Sequence, residues 1–257
     1  SVRWKERALA TIAWTRGLRD TIGGGFVRSA AEADPHHARV YKPADVNARR
    51  LGNLIQAWRL TSEPEYRLEA ARAADFFDRV LLDGRGGFIP GQASGFDLVP
   101  EANGLAIHAW LEWAAATTDR ARRDFSLMSL DRVWDTCWVP DLGLLRRGSF
   151  GEVLKPPQLG DQVEMGRALV LAARLAGRRA DADRARTLGE LLLARFEDPA
   201  QGGFLTQWAP TRKGKIKRAA RVPAENARAA LFLCELTMLT GESKYREAAR
   251  RAWRELE

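Results

Sequence analysis

Residues 20–26 read Asp-Thr-Ile-Gly-Gly-Gly-Phe, and an acid followed by a glycine turn and a large apolar residue returns three more times. The later turns are Gly86-Gly87-Phe88, Gly143-Leu144 and Gly202-Gly203-Phe204, so the apolar anchors are separated by 62, 56 and 60 residues. Glycine permits the left-handed backbone that a helix exit needs. This period is too long for a tetratricopeptide, ankyrin or armadillo repeat, and it suits one helical hairpin with a long loop.

Two helical patterns fill each interval between turns. The first is the more apolar, as in Ala-Ala-Leu-Phe-Leu-Cys at 229–234, whereas the second carries many Arg and Glu residues. Apolar helices are typical of an interior, so we expect an inner and an outer helix in each hairpin. The predicted helices are 2–18, 47–60, 65–82, 101–116, 120–138, 161–176, 180–196, 225–239 and 243–256.

An inner and an outer row of helices define an all-α fold, the α/α toroid. The pattern gives four hairpins and a leading helix, in one domain over 1–257, because each hairpin buries its face against its neighbours. Six hairpins would need twelve helices, about three more than the pattern gives. We therefore expect either a missing segment before Ser1 or a smaller, incomplete ring.

The composition excludes several classes of protein. With 46% hydrophobic residues and a net charge of +8, the chain is typical of a globular protein with a sizeable core. Its apolar runs are far shorter than the ~20 residues of a membrane span. Cys137 and Cys234 lie in apolar helical patterns without metal-ligand spacing, which predicts buried, reduced thiols and no metal or other cofactor. The compartment stays open.

From Lys42 to Trp253 the chain resembles the helical toroid of the thioredoxin-domain-containing, spermatogenesis-associated protein family, and the segment from Asp20 to Ser29 resembles a further element of that family. That family is similar to six-hairpin glycosidases and sugar 2-epimerases, so the resemblance implies a toroid of carbohydrate-active type. The residues that carry it are Asp20-Thr-Ile-Gly-Gly-Gly-Phe-Val-Arg-Ser29, Lys42-Pro-Ala-Asp-Val-Asn-Ala48, Pro223-Ala-Glu-Asn-Ala-Arg-Ala-Ala230 and Leu239-Thr-Gly-Glu-Ser-Lys-Tyr245.

Polar residues recur where the inner helices begin, and parallel inner helices would bring them to one mouth of the toroid. Neighbouring helices lie ~8–10 Å apart, which can place two carboxylates at the separations that glycoside hydrolysis requires. One acid would donate a proton while the other acts as nucleophile or base. Helix capping is the alternative, since Asp, Glu and Asn stabilise helix starts. The residues are Asp45 and Asn47, Glu101 and Asn103, Asp161 and Glu164, and Glu225 and Asn226.

Other side chains could complete such a site. His108 follows Glu101 by seven residues, two turns along one helical face, so it is a candidate base. Trp58 and Trp208 could stack on a sugar, although core packing is the alternative for a helical tryptophan. Residues preceding the first inner helix could contact an anion at the same mouth; they are Arg28, Tyr41 and Lys42.

A basic run lies between Leu205 and Pro223, with six positive residues and no acid. Such a run can attract an acidic saccharide or another anionic ligand, and a solvated loop is the alternative. No nucleic-acid recognition motif accompanies it.

Two functions follow. The first is a carbohydrate-active enzyme, a glycoside hydrolase or sugar epimerase. The second is a non-catalytic toroid that binds an anionic ligand or a protein partner. A terpenoid or prenyl toroid is disfavoured, because the Asp-rich motif expected for diphosphate chemistry is absent.

Overall fold

The computed structural model describes residues 2–29, 41–92, 94–198, 201–208 and 220–254. The described residues form nine α-helices, which is the helix count that the sequence predicts. None of these helices is long and apolar enough to cross a membrane. The helices are α1 (Val2–Trp14), α2 (Ala44–Thr61), α3 (Pro64–Phe76), α4 (Pro100–Thr117), α5 (Arg120–Cys137), α6 (Leu159–Ala176), α7 (Arg179–Leu191), α8 (Pro223–Thr240) and α9 (Ser243–Arg254).

The helices are arranged in packed pairs, α2 with α3, α4 with α5, α6 with α7 and α8 with α9. The first member of each pair also packs against the first member of the next, so α2, α4, α6 and α8 form an inner row. Each inner helix has 18 residues and ends at a residue with left-handed backbone: Ser62, Thr118, Gly177 or Gly241. The inner row therefore consists of four helices of equal length whose starts can be compared position by position.

The glycine turns are short antiparallel ladders at the exits of the preceding helices. β1 (Leu82–Asp83) pairs with β2 (Gly87–Phe88), and β3 (Trp138–Val139) pairs with β4 (Gly143–Leu144). The first and last turns have single bridges instead, between Arg19 and Phe26 and between Glu197 and Phe204. Phe26, Phe88, Leu144 and Phe204 are all buried, so each turn anchors its loop to the core, as the sequence predicts.

An amide side chain on each inner helix holds the apolar anchor of the preceding turn. In α4, Asn103 Oδ1 accepts from the Phe88 N–H at 2.9 Å, while Nδ2 donates to the carbonyls of Phe88 and Val99 at 3.0 and 3.1 Å. The same three bonds recur in the other inner helices. We call these side chains the amide clamps: Asn47, Asn103, Gln162 and Asn226.

Each amide clamp lies four residues after the N-cap, so these side chains do not cap their helices in the usual way. The helices begin one to three residues earlier than predicted, at Ala44, Pro100, Leu159 and Pro223. The sequence prediction started each helix near its first acid, but Pro100 and Pro223 occupy the first helical turn, where proline is tolerated. The amide side chains therefore bond the backbone of a distant glycine turn and do not accept from the free N–H groups at the start of their own helix.

We expect Asn103→Ala to lower the free energy of unfolding by about 2 kcal/mol, because the buried N–H and carbonyl of Phe88 would lose their partners. A lost N-cap bond costs roughly half as much. Urea unfolding of this variant measures the difference. Asn53→Ala, at an exposed position on α2, is the matched control. A loss no larger than that of the control would contradict the clamp.

The two cysteines differ in burial. Cys137 is buried in α5, as predicted, and burial raises the pKa of its thiol to about 12. The prediction of a buried Cys234 is wrong, because this thiol is exposed. It lies on α8, the last inner helix of the row, and borders a groove with Leu231 and Trp253. No further helix among the described residues covers this groove.

Candidate functional site

The starts of the four inner helices lie at one end of the row, which we call the mouth. The Glu101 N–H at the start of α4 donates to Asp161 Oδ1 at the start of α6, at 3.0 Å. Arg49 of α2 and Arg228 of α8 both reach Glu164 of α6, at 3.6 and 3.5 Å. Parallel inner helices and a shared mouth are thus present in the structure.

Arg146, from the loop after β4, joins two of the candidate acids. Its Nη2 lies 3.0 Å from Glu101 Oε2, and its Nε lies 2.8 Å from Asp161 Oδ2. Asp161 is only 1% exposed. Burial raises the pKa of Asp161 to about 6, and the attraction and hydrogen bond of Arg146 oppose that rise. The Glu101–Arg146–Asp161 bridge therefore ties the starts of α4 and α6 together.

Glu164 is the centre of a second layer of charges, one turn further along the helices. Its carboxylate lies within about 3.6 Å of guanidinium nitrogens from Arg49, Arg167 and Arg228. Arg49 and Arg228 also approach Glu101 Oε1, at 4.0 and 3.8 Å. Burial raises the pKa of Glu164, and the surrounding arginines oppose this rise. Four arginines thus neutralise three acids that the sequence predicts for the site.

Glu225, at the start of α8, has a different environment. Its Oε2 atom is buried and has no hydrogen-bond partner among the described residues. Burial raises the pKa of Glu225, the negative charge of Glu101 raises it further, and Arg228 and Arg146 oppose the rise. Asp45, by contrast, pairs with Arg28 at 3.1 Å. Of the five acids predicted for the mouth, Glu225 alone makes no ion pair with the described residues.

His108 lies deeper in the inner row than the acids of the mouth. Its Nδ1 atom is 3.8 Å from Glu112 Oε2 on the same helix. Burial, together with the charges of Arg167 and Arg59, lowers the pKa of His108 to about 3. The imidazole is therefore neutral at ordinary pH, and its environment opposes protonation. This weakens the case for His108 as a base.

The predicted substrate contacts are distributed over several places. Trp58 lies near the far end of α2, with its ring 6.3 Å from that of Trp113, so it is remote from the mouth. Trp208 lies beside the start of α6, where its backbone N–H donates to the carbonyl of Pro157 at 3.1 Å. Arg195 lies over the Trp208 ring at 5.0 Å. Trp208 is thus near the mouth, although it also packs against the core.

Several other predicted contacts are engaged within the fold. Lys42 is buried, and its Nζ lies 2.6 Å from Asp20 Oδ2. The Tyr41 hydroxyl donates to the carbonyl of Pro90 at 3.5 Å, and its ring is partly exposed. The clamps Asn47, Asn103 and Asn226 are buried and bonded to backbone, so we assign them to the fold.

Five positive residues of the basic run lie outside the described residues: Arg212, Lys213, Lys215, Lys217 and Arg218. The attraction of an anionic ligand by this run stays a prediction. Its sixth member, Arg221, is described and donates to the carbonyls of Gln201 and Gly202 at 3.1 and 3.2 Å. Arg221 therefore supports the fourth glycine turn.

In the described part of the chain, no group of three His, Cys, Asp or Glu residues could hold a metal ion.

The arginines of the mouth and one amide clamp are not predicted from the sequence. A usable signal was present, because the tripeptide Asn-Ala-Arg occurs at 47–49 and again at 226–228. Both arginines lie two residues after a clamp and point toward Glu164. Gln162 replaces asparagine in the third repeat, which concealed that clamp from a search for asparagine. Arg146 comes from a loop, and its position carries no comparable signal.

Solved structures share this architecture at low sequence identity. Cellobiose 2-epimerase from Spirochaeta thermophila matches 98% of this chain and 84% of its own, with a TM-score of 0.71 and 16% identity. An α-1,6-mannanase of Salegentibacter matches 97% and 69%, with a TM-score of 0.74 and 14% identity. A family 76 glycoside hydrolase from a bovine Bacteroides thetaiotaomicron strain matches 97% of this chain but 55% of its own, with a TM-score of 0.78 and 13% identity.

These matches establish the fold class as an α/α toroid of the six-hairpin glycosidase-like kind. No protein-family model matches the chain, and no curated protein does. The comparisons therefore do not support the particular thioredoxin-domain-containing family that the motifs resemble. The mannanase was also solved as an inactive variant in complex with α-1,6-mannotriose, in which two consecutive aspartates are replaced by asparagine. The present chain contains no Asp-Asp pair.

Proposed function

We propose that the chain is a carbohydrate-active enzyme whose site lies at the mouth of the toroid, with Glu225 as the proton donor. The observation that carries the proposal is that Glu225, of the five acids predicted for the mouth, alone makes no ion pair with the described residues. Glu225 has a buried oxygen without a partner and a raised pKa, whereas Glu101 is surrounded by Arg49, Arg146 and Arg228. Two carboxyl groups with different environments are what acid–base chemistry on a saccharide requires.

In this proposal the protonated Glu225 donates to a sugar oxygen, and the Glu101 carboxylate acts as the base or nucleophile. In hydrolysis the proton goes to the glycosidic oxygen of the leaving group. In epimerisation a base removes a proton beside the carbonyl of an opened sugar, and an acid returns one to the other face. Trp208 is the aromatic surface near this site. The fold shared with epimerases and hydrolases supports the substrate class by analogy only.

The test is turnover of neutral and acidic oligosaccharides by the parent chain and by Glu225→Gln. Chromatography distinguishes shorter sugars, the products of hydrolysis, from isomers of unchanged mass. We expect Glu225→Gln to reduce turnover by about 10²-fold or more, because a general acid contributes on that order. Glu65→Gln, which neutralises a first-turn glutamate on the outer helix α3, is the matched control. Unchanged turnover in a folded Glu225→Gln protein would refute the assignment.

Stability provides a second readout of the same residue. Glu225 has a raised pKa in the folded state, so its ionisation opposes folding as pH rises above the ordinary glutamate value of 4.5. Glu225→Gln removes that opposing charge. The variant should therefore match or exceed the parent in thermal stability at neutral pH, while losing activity.

A non-catalytic toroid that binds an anionic ligand is the second candidate. The observation in its favour is that arginines neutralise most acids of the mouth, so these charges could serve structure alone. Saccharide binding that persists in Glu225→Gln, without turnover in the parent, would favour this second function.

A further inference from the structure

A cavity of about 480 Å³ lies outside the mouth, between the first glycine turn and the outer helix α3. Residues from Arg19 to Phe26 form one wall, and Arg72 and Arg79 contribute to the other. A neighbouring cavity of about 280 Å³ shares Arg19, Thr21 and Arg72 with it. The size is typical of a site for a small molecule.

The positive charges of this cavity are unpaired within the described residues. Arg19 and Arg72 make no ion pair there, and Arg79 donates only to the carbonyl of Asp75, at 3.4 Å. Three guanidinium groups therefore lie along one cavity without a carboxylate partner. Side-chain cations in such an arrangement attract an anion.

The acids of the cavity are already paired with cations that lie outside it. Asp20 accepts from Lys42 at 2.6 Å, and Glu69 pairs with Arg16 at 2.7 Å. Asp75 pairs with Arg122 at 3.0 Å. These acids consequently do little to offset the three arginines, and the cavity has an excess of positive charge.

The glycine turn adds backbone donors to the same wall. Gly24 and Gly25 have φ values of +73° and +75°, and their N–H groups donate to no acceptor among the described residues. The Arg79 guanidinium lies against the turn, since its Nη2 would be 3.1 Å from a Cβ atom on Gly24. Successive backbone N–H groups in such turns form concave anion sites. Guanidinium groups bind phosphate oxygens strongly through charge-assisted hydrogen bonds.

We propose that this cavity binds a phosphate group, either as the free ion or as the monoester of a small metabolite. The guanidinium groups of Arg19, Arg72 and Arg79 bind the phosphate oxygens, and the turn N–H groups complete the site. None of these residues belongs to the mouth, so the proposal stands independently of the proposed enzymatic activity.

Calorimetric titration at low ionic strength tests the site with inorganic phosphate, glucose 6-phosphate and glucose. We expect saturable binding of both phosphates, and glucose should not displace inorganic phosphate from the protein. The variant Arg19→Gln, Arg72→Gln, Arg79→Gln should bind phosphate about tenfold more weakly or worse, since it loses its charge-assisted bonds. Glucose 6-phosphate binding at least about tenfold tighter than phosphate supports a monoester ligand, and equal affinities support the free ion.

The matched control is Arg120→Gln, Arg174→Gln, Arg179→Gln, which removes the same charge at three exposed positions on other helices. It should change the affinity by less than about twofold, because distant surface charges are screened. Arg72→Gln alone, an exposed and unpaired position, keeps the test valid if the triple variant is unstable. Absence of saturable binding in the parent, or equal weakening in both triple variants, would overturn the proposal.

Discussion

Arg146→Met is expected to lower the free energy of unfolding by about 3–5 kcal/mol at neutral pH, because it leaves a buried carboxylate without its cation. Asp161 is 1% exposed, and its two carboxylate oxygens share the Nε–H of Arg146, at 3.1 and 2.8 Å. Glu101 loses the same partner, which bonds it at 3.0 Å. Methionine retains much of the length of the arginine side chain, so the loss of charge dominates the effect.

The deficit of this variant should depend on pH in a defined direction. Burial already raises the pKa of Asp161 from 3.8 to about 6, and removal of Arg146 raises it further. A carboxyl group with a raised folded-state pKa holds its proton in the native state longer than in the unfolded state. Its ionisation therefore destabilises the fold as pH rises through that window. The loss in free energy of unfolding caused by Arg146→Met should be small near pH 4. It should reach its full size once the pH exceeds the raised pKa of Asp161.

Urea unfolding of parent and variant between about pH 4 and pH 8 measures this dependence. Arg147→Met is the matched control, because among the described residues the neighbouring guanidinium bonds only the carbonyl of Thr136, at 3.3 Å. Adding Asp161→Asn to Arg146→Met should restore part of the lost stability at neutral pH, since no buried charge remains at that position. A deficit independent of pH would contradict the role given to Arg146.

The fold could be predicted from the sequence because its determinants are local. Glycine turns, helical periodicity and the contrast between apolar and charged helices all appear in short windows. The ladders at β1–β2 and β3–β4 occur at turns that the repeat had located. The starts of the helices were placed too late, since prolines at 100 and 223 lie inside the first turn rather than before it.

The mouth was only partly predictable, since its register depends on tertiary contacts. Asp45 and Glu101 precede their amide clamps by two residues, whereas Asp161 and Glu225 precede theirs by one. One residue is a rotation of about 100° around a helix, so the four acids are not equivalent. The acids are about 60 residues apart along the chain, and this spacing alone does not reveal a one-residue difference in their position on the helices. The partners of the acids decide their chemistry, and Arg146 reaches them from a loop.

Gly104→Ala is the second substitution with a large expected effect. We expect it to destabilise the protein, although alanine is the better helix former. In an exposed helix, alanine is more favourable than glycine by about 1 kcal/mol. At position 104 a Cβ atom would lie 2.5 Å from the carbonyl carbon of Glu164 and 2.6 Å from the Met165 nitrogen. These are backbone atoms of α6, so no side-chain rotation can relieve the contact. We expect a loss of about 3 kcal/mol, at the upper end of typical overpacking costs.

Gly17→Ala is the matched control, because its Cβ would meet nothing within 4 Å and its φ is not left-handed. In thermal unfolding, the midpoint temperature of Gly17→Ala should stay near that of the parent, and the midpoint temperature of Gly104→Ala should be lower. The two helices that Gly104 brings together carry Glu101 on α4 and Glu164 on α6, which share Arg49 and Arg228. Separation of α4 from α6 would therefore lengthen these ion pairs as well. A Gly104→Ala protein as stable as the control would mean that α4 and α6 can move apart at little cost, and that the charge network does not depend on their close packing.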